Sequence, residues 1–272
     1  RMGQTSYYVS LNIGLANSEL ARFLAKTLID EFESSGGLVF KPNIIFKVKA
    51  GVNRFENDPN YDLFQASLLC SAKKMIPTYV LCDSEPNKDV DAEKLAIMGC
   101  RTRVVADLFG ENSSVGRGNI DNISINLPRL ALITEKELAG ATFEEKMSAF
   151  SAKWDEVASL TKDILLDRYY KVCKRTSEDF PINKTHHLWK EDFKDIPSVF
   201  RHGTLSLGFI GLSEAIEVLS GKRFYEDAEC YMEAIGFVKH MREYCDFLRG
   251  HYKLNFSLLA TSGELISGRF SE

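Results

Sequence analysis

The stretch Ile97-Met98-Gly99-Cys100-Arg101-Thr102-Arg103 is the most informative part of the sequence. A glycine directly before a cysteine permits a tight turn that presents the sulfur, and the two arginines can form salt bridges or bind phosphate. A lone cysteine is nevertheless most often a packed core thiol. Read alone, the stretch leaves both interpretations open.

Two further stretches can take part in ligand binding. Gly116-Arg117-Gly118-Asn119 can bring backbone and an amide close to a ligand, although a surface turn uses the same residues. Thr261-Ser262-Gly263-Glu264 follows a predicted strand and leads towards a possible helix start. Backbone donors and the positive end of a helix there would face an anion, but an ordinary helix cap has the same composition.

Composition narrows the class of protein. The chain has 272 residues, 44% hydrophobic and 26% charged, with a net charge of -4, which is typical of a globular protein with a sizeable core. The absence of a broad basic field argues against direct DNA binding. The apolar runs are much shorter than the ~20 residues that span a bilayer, so we expect no membrane segment and a cytoplasmic protein.

The cysteines and histidines do not form a metal-binding pattern. Six widely spaced cysteines include no CxxC pair and have no histidine at a metal-ligand interval. We therefore expect reduced, mostly buried cysteines and neither a disulfide framework nor structural zinc. His186-His187 has no third ligand at a suitable interval, so we expect no metal there. His240 is expected at a helix surface or cap.

Alternating extended and helical segments predict a layered α/β protein. Strands are predicted at residues 7–12, 44–49, 78–82, 122–127 and 253–260, and a long loop at 177–198. One predicted helix is capped by Asn17 or Ser18, the next by Asp58 before Pro59, and a long one by a Thr142–Glu145 capping box. The predicted buried faces are Leu20, Leu24, Leu28 and Phe32; Tyr61, Phe64, Leu68, Ala72 and Met75; Phe143, Met147, Phe150, Trp154, Val157 and Ile164; and Tyr231, Ile235, Val238, Cys245 and Leu248. Tyr169 and Tyr170 are expected in the core.

Taken together and in order, the motifs carry a family resemblance. Met98-Gly-Cys-Arg-Thr-Arg-Val104, then Gly116-Arg-Gly-Asn119, then Ile125-Asn-Leu-Pro-Arg-Leu130 resemble the central block of anaerobic (class III) ribonucleoside-triphosphate reductases. Further matching segments cover nearly the whole chain: Phe46-Lys-Val-Lys49, Gly51-Val-Asn53, Asp58-Pro-Asn-Tyr-Asp-Leu-Phe64, Gly203-Thr-Leu-Ser-Leu-Gly-Phe-Ile-Gly-Leu212, Ser257-Leu-Leu-Ala-Thr261 and Ser267-Gly-Arg-Phe270.

The resemblance implies a glycyl-radical enzyme with a ten-stranded α/β barrel and a central finger loop. Cys100 matches the cysteine that becomes the thiyl radical and abstracts the ribose 3′ hydrogen, and Asn119 matches the asparagine that hydrogen-bonds the sugar. Met98 matches a methionine associated with members that use formate as reductant. Residues Thr261, Ser262, Gly263 and Glu264 align with the substrate phosphate loop, although the more usual Thr-Pro-Ala-Glu-Gly reads Thr-Ser-Gly-Glu-Leu here.

The resemblance also implies partners and missing parts. It implies a ribonucleoside triphosphate substrate, a radical-SAM iron–sulfur activase, ATP and deoxynucleotide effectors, and a homodimer. The glycyl-radical motif Arg-Val-x-Gly-Tyr and the family's cysteine-rich zinc site do not occur in these residues. We therefore expect residues 1–272 to be a single domain, part of the catalytic barrel of a longer chain, inactive alone and holding no cofactor itself.

Other classes remain as alternatives. A noncatalytic nucleotide-binding or assembly module derived from this family is possible, but binding alone would not require a thiol at Cys100. A formate-lyase-like acyltransferase would have two adjacent cysteines at the finger tip, where Cys100 is followed by Arg101. Neither phosphate-loop fingerprint of the Rossmann or P-loop enzymes is present.

Overall fold

The computed structural model describes residues 9–36, 42–99, 102–186, 188–189 and 194–263. The chain divides into two compact units, residues 1–117 and 118–272, each with its own parallel sheet. That the two form a single domain stays a prediction. Among the described helices, none has the length and apolar character needed to cross a membrane.

The first unit is built on the parallel sheet β1-β2-β3. The central strand reads Asn-Ile-Ile-Phe-Lys-Val and is buried from its second residue to its last, as expected for a parallel strand covered on both faces. The strands predicted at residues 7–12, 44–49 and 78–82 are confirmed. Within the described residues, the first of them begins at Ser10. The elements are β1 (Ser10–Ile13), α1 (Glu19–Ser34), β2 (Asn43–Val48), α2 (Tyr61–Lys74), β3 (Thr78–Leu81), β4 (Ile97–Met98) and β5 (Thr102–Arg103).

Helix α1 begins as predicted but buries a different face. Ser18 is the N-cap, and its side chain accepts a hydrogen bond from the Ala21 N–H. The predicted face is wrong in its first turns, since Leu20 and Leu24 are exposed. Apolar residues occur on both sides of this helix, so their spacing alone cannot select the buried side. The side that packs on the sheet carries Ala25, Ile29 and Phe32.

Helix α2 begins two residues later than the Asp58-Pro59 pair predicts. Asn60 is the N-cap, and the Asp58 carboxylate instead accepts a hydrogen bond from the Phe55 N–H within the preceding turn. The predicted buried face is also wrong, because Leu68 and Met75 are exposed. Leu63, Ser67 and Cys70 are buried instead.

The second unit is built on the parallel sheet β6-β7-β8. Its strands confirm the predictions at 122–127 and 253–260, although the first begins earlier, at Gly118, and ends at Asn126, while the second begins at Asn255. The elements are β6 (Gly118–Asn126), α3 (Leu127–Glu137), α4 (Phe143–Cys173), a 3₁₀ turn (Ser177–Asp179), α5 (Pro181–Thr185), α6 (Ile196–Phe200), β7 (Gly203–Ile210), α7 (Leu212–Ser220), α8 (Ala228–Tyr252) and β8 (Asn255–Ala260).

Long helices cover one face of this sheet. The Thr142–Glu145 capping box is confirmed at the start of α4. Trp154 and Phe150 are core residues as predicted, and the Phe150 ring lies 4.8 Å from that of Phe237 on α8. The core joins these helices to the apolar side of the sheet through Ile125, Leu205, Leu207 and Phe256.

Some predictions for this unit are wrong. Tyr169 is buried, but Tyr170 is exposed. On α8 the predicted Cys245 and Leu248 are buried, whereas Tyr231 and Ile235 are exposed and their neighbours Cys230 and Ala234 are buried in their place. The small side chains of Cys230 and Ala234 pack inwards, and the larger side chains of Tyr231 and Ile235 beside them face outwards.

The predicted loop at 177–198 contains short helices in its described part. Proline occupies the first turn of both α5 and α6, where its fixed φ favours a helix start. Asp195 also caps α6 by accepting a hydrogen bond from the Ser198 N–H. His187 lies outside the described residues.

Candidate active site

A short antiparallel hairpin, β4–β5, contains the most informative motif. Ile97 pairs with Arg103 and Met98 with Thr102, and Gly99 has a positive φ of 61°. The glycine therefore makes the turn that the sequence predicts. Met98 is half-buried. Cys100 and Arg101 lie outside the described residues, so the position of the predicted radical cysteine stays a prediction.

Hydrogen bonds fix both ends of the hairpin. At the turn, the Ser10 hydroxyl donates to the Gly99 carbonyl at 3.0 Å. At the base, the Ser114 hydroxyl lies 3.0 Å from the Ala96 carbonyl and 2.9 Å from the Val104 carbonyl, and so bridges the two arms. Because a hydroxyl has one proton, the Ser114 proton is shared between the two carbonyls that it contacts. The hairpin is held to β1 and to the segment that follows it.

Arg103 has a structural role in this arrangement. Its Nε donates to the Asn87 amide oxygen at 2.7 Å, and its Nη2 donates to the Pro86 carbonyl at 2.6 Å. Burial lowers the pKa of this guanidinium. The two bonds direct Arg103 towards the segment that follows β3, so the structure favours anchoring over phosphate binding for this arginine.

A buried lysine lies beneath the segment leading to the hairpin. Lys47 on β2 donates from Nζ to the Ala92 carbonyl at 2.9 Å and to the Glu93 carbonyl at 3.4 Å. Desolvation lowers the pKa of Lys47 and raises that of the nearby Cys82 thiol. Sequence reasoning missed this contact, although a single lysine within a buried strand is the kind of signal that could have revealed it.

Two buried asparagines join the loops after β1 and β2. The Asn53 amide nitrogen donates to the Gly14 carbonyl at 2.9 Å and to the Lys47 carbonyl at 2.8 Å. The Asn60 amide nitrogen donates to the same Gly14 carbonyl and to the Ala16 carbonyl, both at 3.1 Å. Both side chains are fully buried. They hold the carboxyl ends of these strands in one conformation.

In the second unit, the sheet face opposite the helices is polar. The strand register places Asn119 beside Thr204, Asn122 beside Ser206, and Ser124 beside Gly208 on neighbouring strands. On the far side of β7, Asn255 pairs with Thr204 and Ser257 with Ser206. Of these, Asn119, Asn122 and Ser124 are exposed, whereas Thr204, Ser206 and Asn255 are buried. We call this set the polar face.

The predicted phosphate loop leaves the same sheet. The Thr261 N–H donates to the Phe209 carbonyl at 3.0 Å, which continues the β7–β8 pairing, and the Thr261 hydroxyl lies 2.5 Å from the Ser124 hydroxyl. Thr261 and Gly263 are half-buried and Ser262 is exposed. Glu264 lies outside the described residues. The structure therefore brings Thr261 and Asn119 to one sheet, while Met98 belongs to the other unit.

The edge of this sheet is also where two helices begin. Helix α3 follows β6 directly, and the Asn126 side chain caps it by accepting from the Arg129 N–H. Helix α7 follows β7 at Gly211, whose φ is 77° and where an added Cβ would lie 2.4 Å from the Pro128 ring. Only glycine allows both that backbone conformation and that close approach. Carboxyl ends of parallel strands with helix starts beside them are common ligand sites.

The comparisons with known proteins identify the family. Residues 1–272 match the family model described as anaerobic ribonucleoside-triphosphate reductase. The chain belongs to this family.

Individual reductases agree with that assignment. The chain is 28% identical over 279 residues to an anaerobic ribonucleoside-triphosphate reductase of Haemophilus influenzae, and 29% identical over 282 residues to one of Escherichia coli. Each alignment covers 98% of this chain and 38% of the relative. The chain therefore spans about two fifths of the length of these reductases.

A solved reductase shows the fold. The crystal structure of the anaerobic ribonucleotide reductase from Thermotoga maritima, with MES in its active site, matches 88% of this chain and 35% of that chain. The TM-score is 0.54 at 14% identity. The predicted fold class, part of the glycyl-radical enzyme barrel, is therefore confirmed. In the described part of this chain, no three His, Cys, Asp or Glu side chains are grouped to hold a metal.

Proposed function

We propose that the chain forms part of the catalytic barrel of an enzyme that reduces ribonucleoside triphosphates to deoxyribonucleoside triphosphates by thiyl-radical chemistry. The polar face carries the proposal. Along β7, four residue steps separate Thr204, which pairs with Asn119, from Gly208, which pairs with Ser124 and lies beside the Thr261 hydroxyl. At a rise of about 3.3 Å per residue, this is about 13 Å. A ligand that contacts both levels has to be extended, as a ribose with a chain of phosphates is.

Asn119 suits the ribose end of such a ligand. Its uncharged amide can donate to one sugar oxygen and accept from another hydroxyl, and it keeps this capacity throughout a radical reaction because it does not titrate. The side chain is exposed on the polar face. In this proposal Asn119 binds and orients the sugar, while Thr261 and the backbone of Ser262 and Gly263 bind phosphate.

Cys100 is the proposed site of hydrogen transfer. A glycyl radical would supply the oxidising equivalent that removes the hydrogen atom from its thiol. The sulfur then takes the 3′ hydrogen atom from the ribose, and the 2′-hydroxyl takes up a proton and leaves as water. Formate, the proposed reductant, supplies two electrons and a hydrogen to the sugar and becomes CO2, and the first hydrogen atom returns from sulfur to C3′. The hairpin contacts from Ser10 and Ser114 would keep the sulfur-bearing turn in place during this exchange.

The finer parts of the proposal rest on the family resemblance. Met98, half-buried on β4, supports formate as the two-electron reductant. The radical-SAM activase, the nucleotide effectors, the homodimer, the zinc and the cytoplasmic location belong to the same proposal. None of the described residues is assigned to the zinc.

Nucleotide binding tests the proposal without requiring turnover. Equilibrium dialysis of the chain with ATP, CTP, GTP and UTP, and with their 2′-deoxy counterparts, is expected to show tighter binding of the ribonucleotides. Asn119→Ala should weaken ribonucleotide binding about 3- to 10-fold, the value of one net hydrogen bond, and remove the preference for ribose. Asn112→Ala, a change at an exposed asparagine elsewhere, should leave binding unchanged. No nucleotide binding, or a ribose preference that survives Asn119→Ala, would contradict the proposal.

A further inference from the structure

Gly208 occupies the middle strand of the second sheet without a backbone reason for glycine. Its φ is not in the positive range. An added Cβ, however, would lie 2.6 Å from the Ser124 hydroxyl and 2.6 Å from the Thr261 hydroxyl. Glycine within a strand weakens it and often marks a place where a ligand or another group approaches closely. The missing side chain leaves a gap in which two hydroxyls from the flanking strands meet.

The hydroxyl pair across this gap has hydrogen-bonding capacity left over. The two oxygens lie 2.5 Å apart, and either can be the donor. Whichever donates, the other hydroxyl keeps its own proton, which can be donated to a third group. Ser124 is exposed and Thr261 only half-buried, so a ligand over the polar face can reach the pair. A short chain of two hydroxyls is also a stronger donor than a single one.

A second hydroxyl pair on the same face differs in exposure. The Ser206 and Ser257 hydroxyls lie 3.0 Å apart, two residues nearer the amino end of β7 than Gly208. Ser206 is only 2% exposed and Ser257 is half-buried, so this pair joins β7 to β8 and, unlike the pair with the exposed Ser124, does not present an exposed hydroxyl to a ligand. The Ser206–Ser257 pair therefore has a structural role, whereas the Ser124–Thr261 pair is placed to bind.

We propose that Ser124 is a further substrate-binding residue, which together with Thr261 donates a hydrogen bond across the gap at Gly208 to a phosphate oxygen of the ribonucleoside triphosphate. The inference rests on the proposed function. The Thr261 N–H bonds the Phe209 carbonyl and holds the backbone in place, and the contact with the Ser124 hydroxyl, in which either oxygen can donate, restricts the orientation of the Thr261 hydroxyl. Ser124 thus acts both directly and by positioning Thr261.

The test compares variants of the two hydroxyl pairs. The ligands are the ribonucleoside triphosphate among ATP, CTP, GTP and UTP that binds the chain most tightly, and the corresponding nucleoside. Ser124→Ala should weaken triphosphate binding about 3- to 10-fold and leave nucleoside binding unchanged. Gly208→Ala should weaken it at least as much, because its methyl group would occupy the gap. Ser124→Thr keeps the hydroxyl and should retain most of the affinity.

Ser206→Ala is the matched control. It should lower the urea midpoint of unfolding, because it removes a buried hydroxyl pair, and leave the affinity for both ligands unchanged. Circular dichroism checks that each variant is folded. If Ser124→Ala binds the triphosphate as the wild type does, or weakens nucleoside binding equally, the inference is overturned while the proposed function stands. If the wild type binds no ribonucleoside triphosphate, both fail.

Discussion

Replacing the buried Asn53 tests the loop arrangement in the first unit. In Asn53→Ala three hydrogen bonds are lost: two donated to the Gly14 and Lys47 carbonyls, and one accepted from the Lys49 N–H at 2.9 Å. A net hydrogen bond contributes about 1 kcal/mol, so the loss sums to about 3 kcal/mol. Typical proteins have about 5 to 15 kcal/mol of stability in total, so this one amide accounts for a large share.

A second variant tests the direction of those bonds. Asn53→Asp has nearly the same shape, but its carboxylate would face the two carbonyl oxygens that the amide nitrogen now contacts at 2.8–2.9 Å. Burying a charge against acceptors costs more than removing the side chain. Asn53→Asp should therefore be less stable than Asn53→Ala. The opposite order would contradict the reasoning that the two carbonyls require a donor from residue 53.

Urea unfolding followed by far-UV circular dichroism measures both effects. With a slope of about 3 kcal/mol per molar urea, a loss of about 3 kcal/mol lowers the midpoint by about 1 M. Both tryptophans, Trp154 and Trp189, belong to the second unit, so fluorescence shows whether that unit unfolds in the same transition. Asn57→Ala, at an exposed position of the same loop, should change stability by less than about 0.5 kcal/mol. If Asn53→Ala is as stable as this control, the reasoning is refuted.

Two further predictions follow from shifted pKa values. A hydrogen bond from Lys222 is the largest cause, and one from the Cys230 N–H the next largest, of the lowered pKa of Asp227, which is about 2. The contribution of the Asp227 carboxylate to stability is therefore present above its ordinary pKa and lost as the pH falls through about 2. The stability difference between wild type and Asp227→Asn in urea should therefore shrink between about pH 5 and pH 2, and a constant difference would contradict this. Burial raises the pKa of the Cys245 thiol to about 12, so iodoacetamide at about pH 8 should leave it unmodified in the folded chain and alkylate it in urea. Rapid labelling of Cys245 in the folded chain, read by peptide mass spectrometry, would be inconsistent with its burial.

The elements that local sequence determines were predicted well. The Ile-Ile-Phe run of β2 is apolar on both faces, which suits a central parallel strand in any surroundings. The Thr142–Glu145 capping box needs only residues three apart to start α4. In both cases the determining contacts lie within a few residues of chain.

Buried helix faces were predicted less well because they depend on the partner. Helix α1 has apolar residues on two sides, and Leu20 and Leu24 are exposed while Ala25 and Ile29 pack on the sheet. Similarly, Tyr231 and Ile235 of α8 turn outwards. A shift of one residue rotates a helix face by about 100°, so a spacing rule that does not know the position of the sheet can select the wrong side.

The candidate site was predicted in part. Asn119 and Thr261 came from the family resemblance, and the structure places both on the second sheet. Ser124 was missed because no single-strand motif identifies it: its partner Thr261 is 137 residues away. Gly208 likewise has no signal of its own in the sequence, since its lack of a side chain becomes meaningful only once both neighbouring strands are in place.

One signal in the sequence does point to the polar face. Residues 122–126 read Asn-Ile-Ser-Ile-Asn, 204–208 read Thr-Leu-Ser-Leu-Gly, and 255–258 read Asn-Phe-Ser-Leu, each alternating polar and apolar. Parallel strands are usually apolar on both faces because helices cover both. Three adjacent parallel strands that share one polar face therefore place hydrogen-bonding groups on the side opposite the described helices of this unit, and such groups need hydrogen-bond partners. Ser206 and Ser257 bond each other, whereas the exposed Asn119, Asn122 and Ser124 can also bond a polar ligand over that face. The alternation therefore makes this sheet suitable for binding a sugar phosphate.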